Sequence, residues 1–128
     1  MTGVTAHFKM SEFNCKDGTA VPPEYEGNVV ALCLALEQLR AELGEPVTIV
    51  SGYRTAEYNA RVGGAVKSQH LTAKAADVRL PNWSPADVAA CLESMIAAGV
   101  VPQGGIGIYA ASNFVHYDIR LTRARWTG

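Results

Sequence analysis

Apolar residues recur at three- and four-residue steps along one early stretch. Val29, Leu32, Cys33, Leu36, Leu39 and Leu43 form a stripe that predicts a helix over 28–43. Gly44 and Pro46 supply a typical helix stop. Val47-Thr48-Ile49-Val50 is short and mostly β-branched, and predicts a strand. Ser51-Gly52-Tyr53-Arg54 turns out of it, and Thr55 can cap a short helix to about Val62, ended by Gly63-Gly64. Residues 65–72 read as loop and 75–80 as strand. Ser84-Pro85-Ala86-Asp87 combines a serine cap, a proline at the first helical position and an acid in the first turn. Val88, Cys91, Leu92, Met95 and Ile96 line one face of that helix before Gly99. Two more strands follow, near 105–109 and 114–119. The first twenty-five or so residues are irregular and include the helix-hostile Pro22-Pro23. This order predicts an α+β fold: a small, mainly antiparallel sheet with helices on one face. With no repeat or linker, residues 1–128 read as one domain.

Side chains alternate across a strand, and here the alternation separates two chemistries. Val115, Tyr117 and Ile119 share one face of the last strand, while Phe114, His116, Asp118 and Arg120 share the other. In the strand over 75–80, Ala76, Val78 and Leu80 oppose Asp77 and Arg79. A plain reading of the polar faces is a solvated sheet surface. The residue types argue otherwise, because a wet strand face is usually Thr, Lys or Glu. His70, just before the Asp77 strand, adds a second imidazole. Two His and one Asp make a three-ligand zinc set with an open fourth position, the arrangement of a catalytic site.

Composition changes this picture little. The formal net charge is -1, so no global field draws the chain to nucleic acid or anionic lipid. Arg120, Arg123 and Arg125 form the only basic cluster and read as a solvated face, so neither nucleic acid nor a membrane is expected as a partner. The three cysteines lack paired short spacing. Cys33 and Cys91 read as small buried hydrophobes, and Cys15 stays unassigned. The N-terminal run Met1–His7 has no charged-then-apolar leader pattern, so the expected location is cytoplasmic, either outright or until release by phage lysis or from a particle. Gly105-x-Gly107-x-x-Ala110 matches a dinucleotide fingerprint superficially, but no helix follows it. Its glycines read as sites of close approach. Trp83 and Trp126 read as sugar-stacking or core aromatics, and Tyr109 as a cleft or sheet residue.

Ser68-Gln69-His70-Leu71-Thr72-Ala73-Lys74-Ala75-Ala76-Asp77 resembles the S-x-H-x-x-G-x-A-x-D signature of the zinc D-alanyl-D-alanine carboxypeptidase family. That family includes peptidoglycan peptidases and phage endolysins and shares its fold with the hedgehog signalling domain. Ser51-Gly52-Tyr53-Arg54, Asn59 with Gly63-Gly64, Gly105–Tyr109 and Phe114–Arg120 resemble its small single-domain branch, so the likeness runs in order from Phe8 to Trp126. The resemblance implies one Zn²⁺ held by His70, Asp77 and His116. It gives Arg54 to substrate or to the developing oxyanion, and Ser68, Gln69 and Tyr109 to the cleft. The implied activity is hydrolysis of peptidoglycan stem-peptide bonds by a monomer, as a D-Ala-D-Ala carboxypeptidase or an endolysin-like endopeptidase.

Two positions depart from the family pattern. Ala73 replaces the signature glycine, a strain if that position needs a positive φ. Relatives place an acid or a His shortly before the last ligand, where this chain has Asn113 and Phe114. Asp118 is then the candidate general base; its alternative role is to orient a zinc-bound imidazole. Glu57 and Glu12 are the other acids to consider. The rival function is a non-catalytic, zinc-stabilised module that binds peptidoglycan or a protein partner.

Overall fold

A computed structural model of the chain describes residues 3–128. Met1 and Thr2, part of the segment read for a leader, lie outside the described residues. Helix α1 spans Glu26–Leu43, α2 Ala56–Arg61 and α3 Pro85–Ala97. Strands are β1 Thr48–Ser51, β2 Ala75–Arg79, β3 Gly105–Tyr109, β4 Phe114–Asp118 and β5 Ala124–Thr127. They form one sheet in the order β1-β2-β4-β3-β5. Every pairing is antiparallel except β3 with β5. The α+β expectation with a mainly antiparallel sheet holds.

The helix signals work as read. Gly44 stops α1 in the left-handed region at φ 70° and returns its N–H to Arg40. Thr55 and Ser84 each accept a backbone N–H through the side-chain oxygen, from Tyr58 and Asp87. The predicted stripe on α1 buries Val29, Leu32, Cys33, Leu36 and Leu39 completely. Burying a leucine stabilises by about 2 kcal/mol, far more than local propensity supplies per residue. Packing against the sheet therefore holds α1. It shares one buried core with Ala76, Val78, Ile106, Val115 and Tyr117 of the sheet and with Val88, Leu92 and Met95 of α3.

The fifth strand is the element that the hydrophobic pattern did not announce. Ala124-Arg125-Trp126-Thr127 alternates over four residues only, with no β-branched apolar residue, and Leu121 before it is 95% exposed. Long-range contacts hold it instead. β3 pairs with it, and Arg125 bridges both carboxylate oxygens of Glu93 on α3 at 2.6 and 2.8 Å. The arginines read as a solvated face are tied to acids: Arg120 to Asp118, and Arg123 and Arg125 to Glu93. The predicted loop 65–72 contains a 3-10 turn, Gln69–Thr72. Among the described residues no helix is long and apolar enough to cross a membrane.

Candidate metal centre and cleft

Strand register sets the centre. β2 and β4 pair with Asp77 opposite His116 and Ala76 opposite Tyr117, so the apolar pair enters the core and the polar pair faces away from it. Gly107 of β3 lies opposite His116 on its other side. His70 arrives from the 3-10 turn, whose start is fixed by Ser68 Oγ accepting the His70 N–H at 3.2 Å. Asp77 Oδ1 then stands 3.3 Å from His70 Nε2 and 3.1 Å from His116 Nδ1. All three residues are buried, at 2%, 3% and 6% exposure for His70, Asp77 and His116. Their donor atoms lie within 4.8 Å of one another.

The other nitrogen of each ring is already used. His70 Nδ1 bonds the Gly52 carbonyl at 2.6 Å, and His116 Nε2 bonds Asp118 Oδ2 at 2.7 Å. These bonds fix ring orientation and leave Nε2 of one ring and Nδ1 of the other facing Asp77. Asp118 is itself fully buried. It accepts from Gly105 N–H at 2.9 Å, Arg120 N–H at 3.1 Å, and the Arg120 guanidinium at 2.9 and 2.7 Å, besides His116. Gly105 is required there, because a Cβ would collide with the carboxylate.

Burial alone would raise the Asp77 carboxyl, but hydrogen bonds from His116 and His70 hold it well below the usual carboxylate range. Burial opposes Asp118 ionisation too, and the bonds from His116 and Arg120 likewise overcome it. For His116 burial favours the neutral ring, yet the hydrogen bonds to Asp118 and Asp77 win and raise its affinity for a proton. A proton on Nδ1 sits where a cation would, so metal binding releases it.

The donor set fits zinc. In a tetrahedron with metal–ligand bonds near 2.0–2.1 Å, ligand atoms lie roughly 3.3 Å apart. The two distances to Asp77 match this, and one carboxylate with two neutral imidazoles is a borderline-soft N/O set with room for a further ligand.

The centre opens into a cleft of about 530 Å³. Arg54, Ser68, Gln69 and Tyr109, all expected there, do line it. Arg54 is braced by Asn59 Oδ1 at 3.2 Å and Asp77 Oδ2 at 3.4 Å, with Ser51 Oγ at 3.3 Å. Its own N–H donates to the His70 carbonyl, which couples it to the ligand turn. Among the described residues Asp77 is the one carboxylate in the lining, so neither Glu57 nor Glu12 reaches the cleft. Asp118 faces His116 from behind and does not line it either. Its contact with the centre is the bond to His116 Nε2. Arg79, which shares the strand face of Asp77, spends its guanidinium on the carbonyls of Ser112 and Asn113.

Trp126 and Asn59 belong to the site through contacts that no local pattern announces. Trp126 packs against His116 with ring centroids 4.9 Å apart, over Gly107, where a Cβ would collide with the indole. The spacing of Gly105 and Gly107 therefore marks close approach of Asp118 and Trp126, not a nucleotide loop. Cys15 stays outside the centre: among the described residues the only His/Cys/Asp/Glu cluster with metal-ligand spacing is His70, Asp77 and His116.

The Peptidase M15 family pattern matches residues 6–118. The chain belongs to the Peptidase M15 family. The M15 chain is 34% identical over 90 residues to the Peptidoglycan L,D-endopeptidase MepK of Escherichia coli (strain K12), covering 65% of this chain and 46% of that protein. It is 33% identical over 87 residues to the Probable peptidoglycan L,D-endopeptidase MepK of Haemophilus influenzae, covering 64% of this chain and 43% of that one. The match thus spans less than half the length of either relative. The family read from the ligand signature and its companion motifs is borne out.

Proposed function

We propose that this M15 chain is a zinc-dependent peptidase of peptidoglycan stem peptides, cutting at a bond between an L- and a D-centre. The observation that carries the reading is the convergence of His70 Nε2, Asp77 Oδ1 and His116 Nδ1 on one point of an open cleft, each imidazole locked by a bond to its other nitrogen. Zinc, when held by these three residues, supplies Lewis acidity for a peptide carbonyl and lowers the pKa of its water. The chain's own groups do the rest. Asp118 fixes the His116 ring and its tautomer. Arg54 keeps unpaired guanidinium N–H groups beside Asp77, suited to a substrate carbonyl or carboxylate. Ser68 shapes the ligand turn, and Gln69 with Tyr109 lines the path of the peptide.

The names of the two relatives favour internal L,D cleavage. The carboxypeptidase alternative has one observation of its own, the cations Arg54, Lys67 and Arg120 around the cleft, which suit a terminal carboxylate. Arg54 and Arg120 are already paired with Asp77 and Asp118, which weakens it. Digestion of purified peptidoglycan and defined stem peptides by the zinc-loaded chain, with products identified by mass spectrometry, separates the readings. Internal fragments cut at an L,D bond are expected. Loss of a terminal D-alanine alone would favour the carboxypeptidase. No product from a chain that does hold zinc would favour the binding module.

A further inference from the structure

We propose that the Tyr109 hydroxyl is a catalytic hydrogen-bond donor to the oxygen of the scissile carbonyl, aimed by Trp126; the inference rests on the peptidase reading above.

The cleft is short of free, rigid donors. Arg120 donates to Asp118, while Arg54 donates to Asp77, Asn59 and Ser51 and keeps two N–H groups, on the β1 side of the ligands. Lys67 is exposed and long, so fixing it over a reacting atom costs side-chain entropy. Tyr109 differs on each count. It ends β3 on the face that carries His116, since Gly107 pairs with His116 and Tyr109 pairs with Phe114. Its ring stacks on Phe114 at 4.5 Å and 13°. The Gly128 backbone presses on the ring so closely that a Cβ there would collide with it. The ring is therefore held from two sides.

Its hydroxyl is half-used in a telling way. Trp126 Nε1–H donates to Tyr109 Oη at 2.8 Å. The indole has only a proton to give, so Tyr109 must be the acceptor and keeps its own proton to donate. Among the described residues no protein group takes that proton. Accepting from the indole also polarises the O–H and strengthens it as a donor. Since Trp126 rests on His116, the hydroxyl is tied to the ligand ring it would act beside.

Sheet order places this donor usefully. Asp77 on β2 and His116 on β4 are central, Arg54 follows β1 on one side, and Tyr109 lies on β3 on the other. A peptide crossing the ligands passes between Arg54 and Tyr109. A fixed donor that meets the carbonyl oxygen as charge grows on it favours the transition state over the ground state. The hydroxyl donates a hydrogen bond and keeps its proton throughout.

The test is Tyr109→Phe in the zinc-loaded chain, with Trp126→Phe beside it. The phenyl ring retains the stack on Phe114. We expect kcat/KM to fall about a hundredfold in Tyr109→Phe, almost entirely in kcat, the order seen when one oxyanion donor is removed. Zinc content, melting temperature and KM should stay at parent values. Affinity for a phosphinic peptide that mimics the tetrahedral carbon should fall with kcat. Parent-like kcat in Tyr109→Phe would overturn the proposal. So would equal losses in both variants with lowered melting temperatures, which would make the pair a latch for β5. A parent that holds zinc and cleaves no peptide would overturn the peptidase reading first, and this inference with it.

Discussion

Asp118 and Ala73 show how single positions hold the centre. Asp118 touches no solvent, yet it sets the ring that carries one ligand nitrogen. Asp118→Asn keeps the size but loses the charge that holds His116, so zinc affinity should fall about 10–100-fold, measured by competition with a chromogenic chelator. Parent-like affinity would remove Asp118 from the account. Ala73 sits at φ 57°, ψ 29°, the left-handed conformation that suits the glycine of the signature it departs from. That conformation costs alanine about 1–2 kcal/mol. Its methyl is buried at 1% exposure, which offsets about 0.8 kcal/mol, and glycine would also loosen the unfolded chain by about 0.4–1 kcal/mol. The contributions nearly cancel. Ala73→Gly should therefore move stability by less than about 1 kcal/mol in urea denaturation, which explains why alanine is tolerated in the signature. His70, Asp77 and His116 were legible because residue type, strand alternation and a known signature agreed. Asn59 was not: it lies in a six-residue helix, and its bonds to Arg54 and Ala65 depend on how that helix folds back.

At the scale of elements, helices and central strands could be read and the edge could not. α1 and α3 carry caps, stops and stripes, all local signals. β5 carries none, and its stability comes from β3 and from Glu93, 32 residues before Arg125 in sequence. The Glu93–Arg125 pair is partly exposed, so it contributes less than about 1 kcal/mol, while the Arg125 bonds to the Gly104 and Ala124 carbonyls add a similar amount. Arg125→Ala should cost about 1–2 kcal/mol in urea denaturation. The Glu93 carboxyl is held below its usual range, chiefly by the hydrogen bond from Arg125. Its contribution is therefore present above the unfolded carboxyl value near 4.3 and lost as pH falls through the lower folded value. The gap between parent and Arg125→Ala should narrow below about pH 4. A constant gap would show that the ion pair adds nothing to β5.

For the whole molecule, one sheet separates stability from chemistry. α1 and α3 pack on its apolar face, and the opposite face gathers ligands from β2, β4 and the turn before β2, with Arg54 and Tyr109 on either side. The α+β class followed from the order of helices and strands, and the family from motifs spread along the chain. The partnership of Trp126, Tyr109 and His116 did not, because it joins β3, β4 and an unannounced β5. The central claim is that this face holds a metal ion through His70, Asp77 and His116. Elemental mass spectrometry of the purified parent and of His116→Ala, each reconstituted with zinc and desalted, tests it most directly. About one zinc per chain is expected in the parent and little in the variant, because a third of the protein ligand set is gone. A parent without zinc, or a variant that retains it in full, would show that His70, Asp77 and His116 are not a metal site.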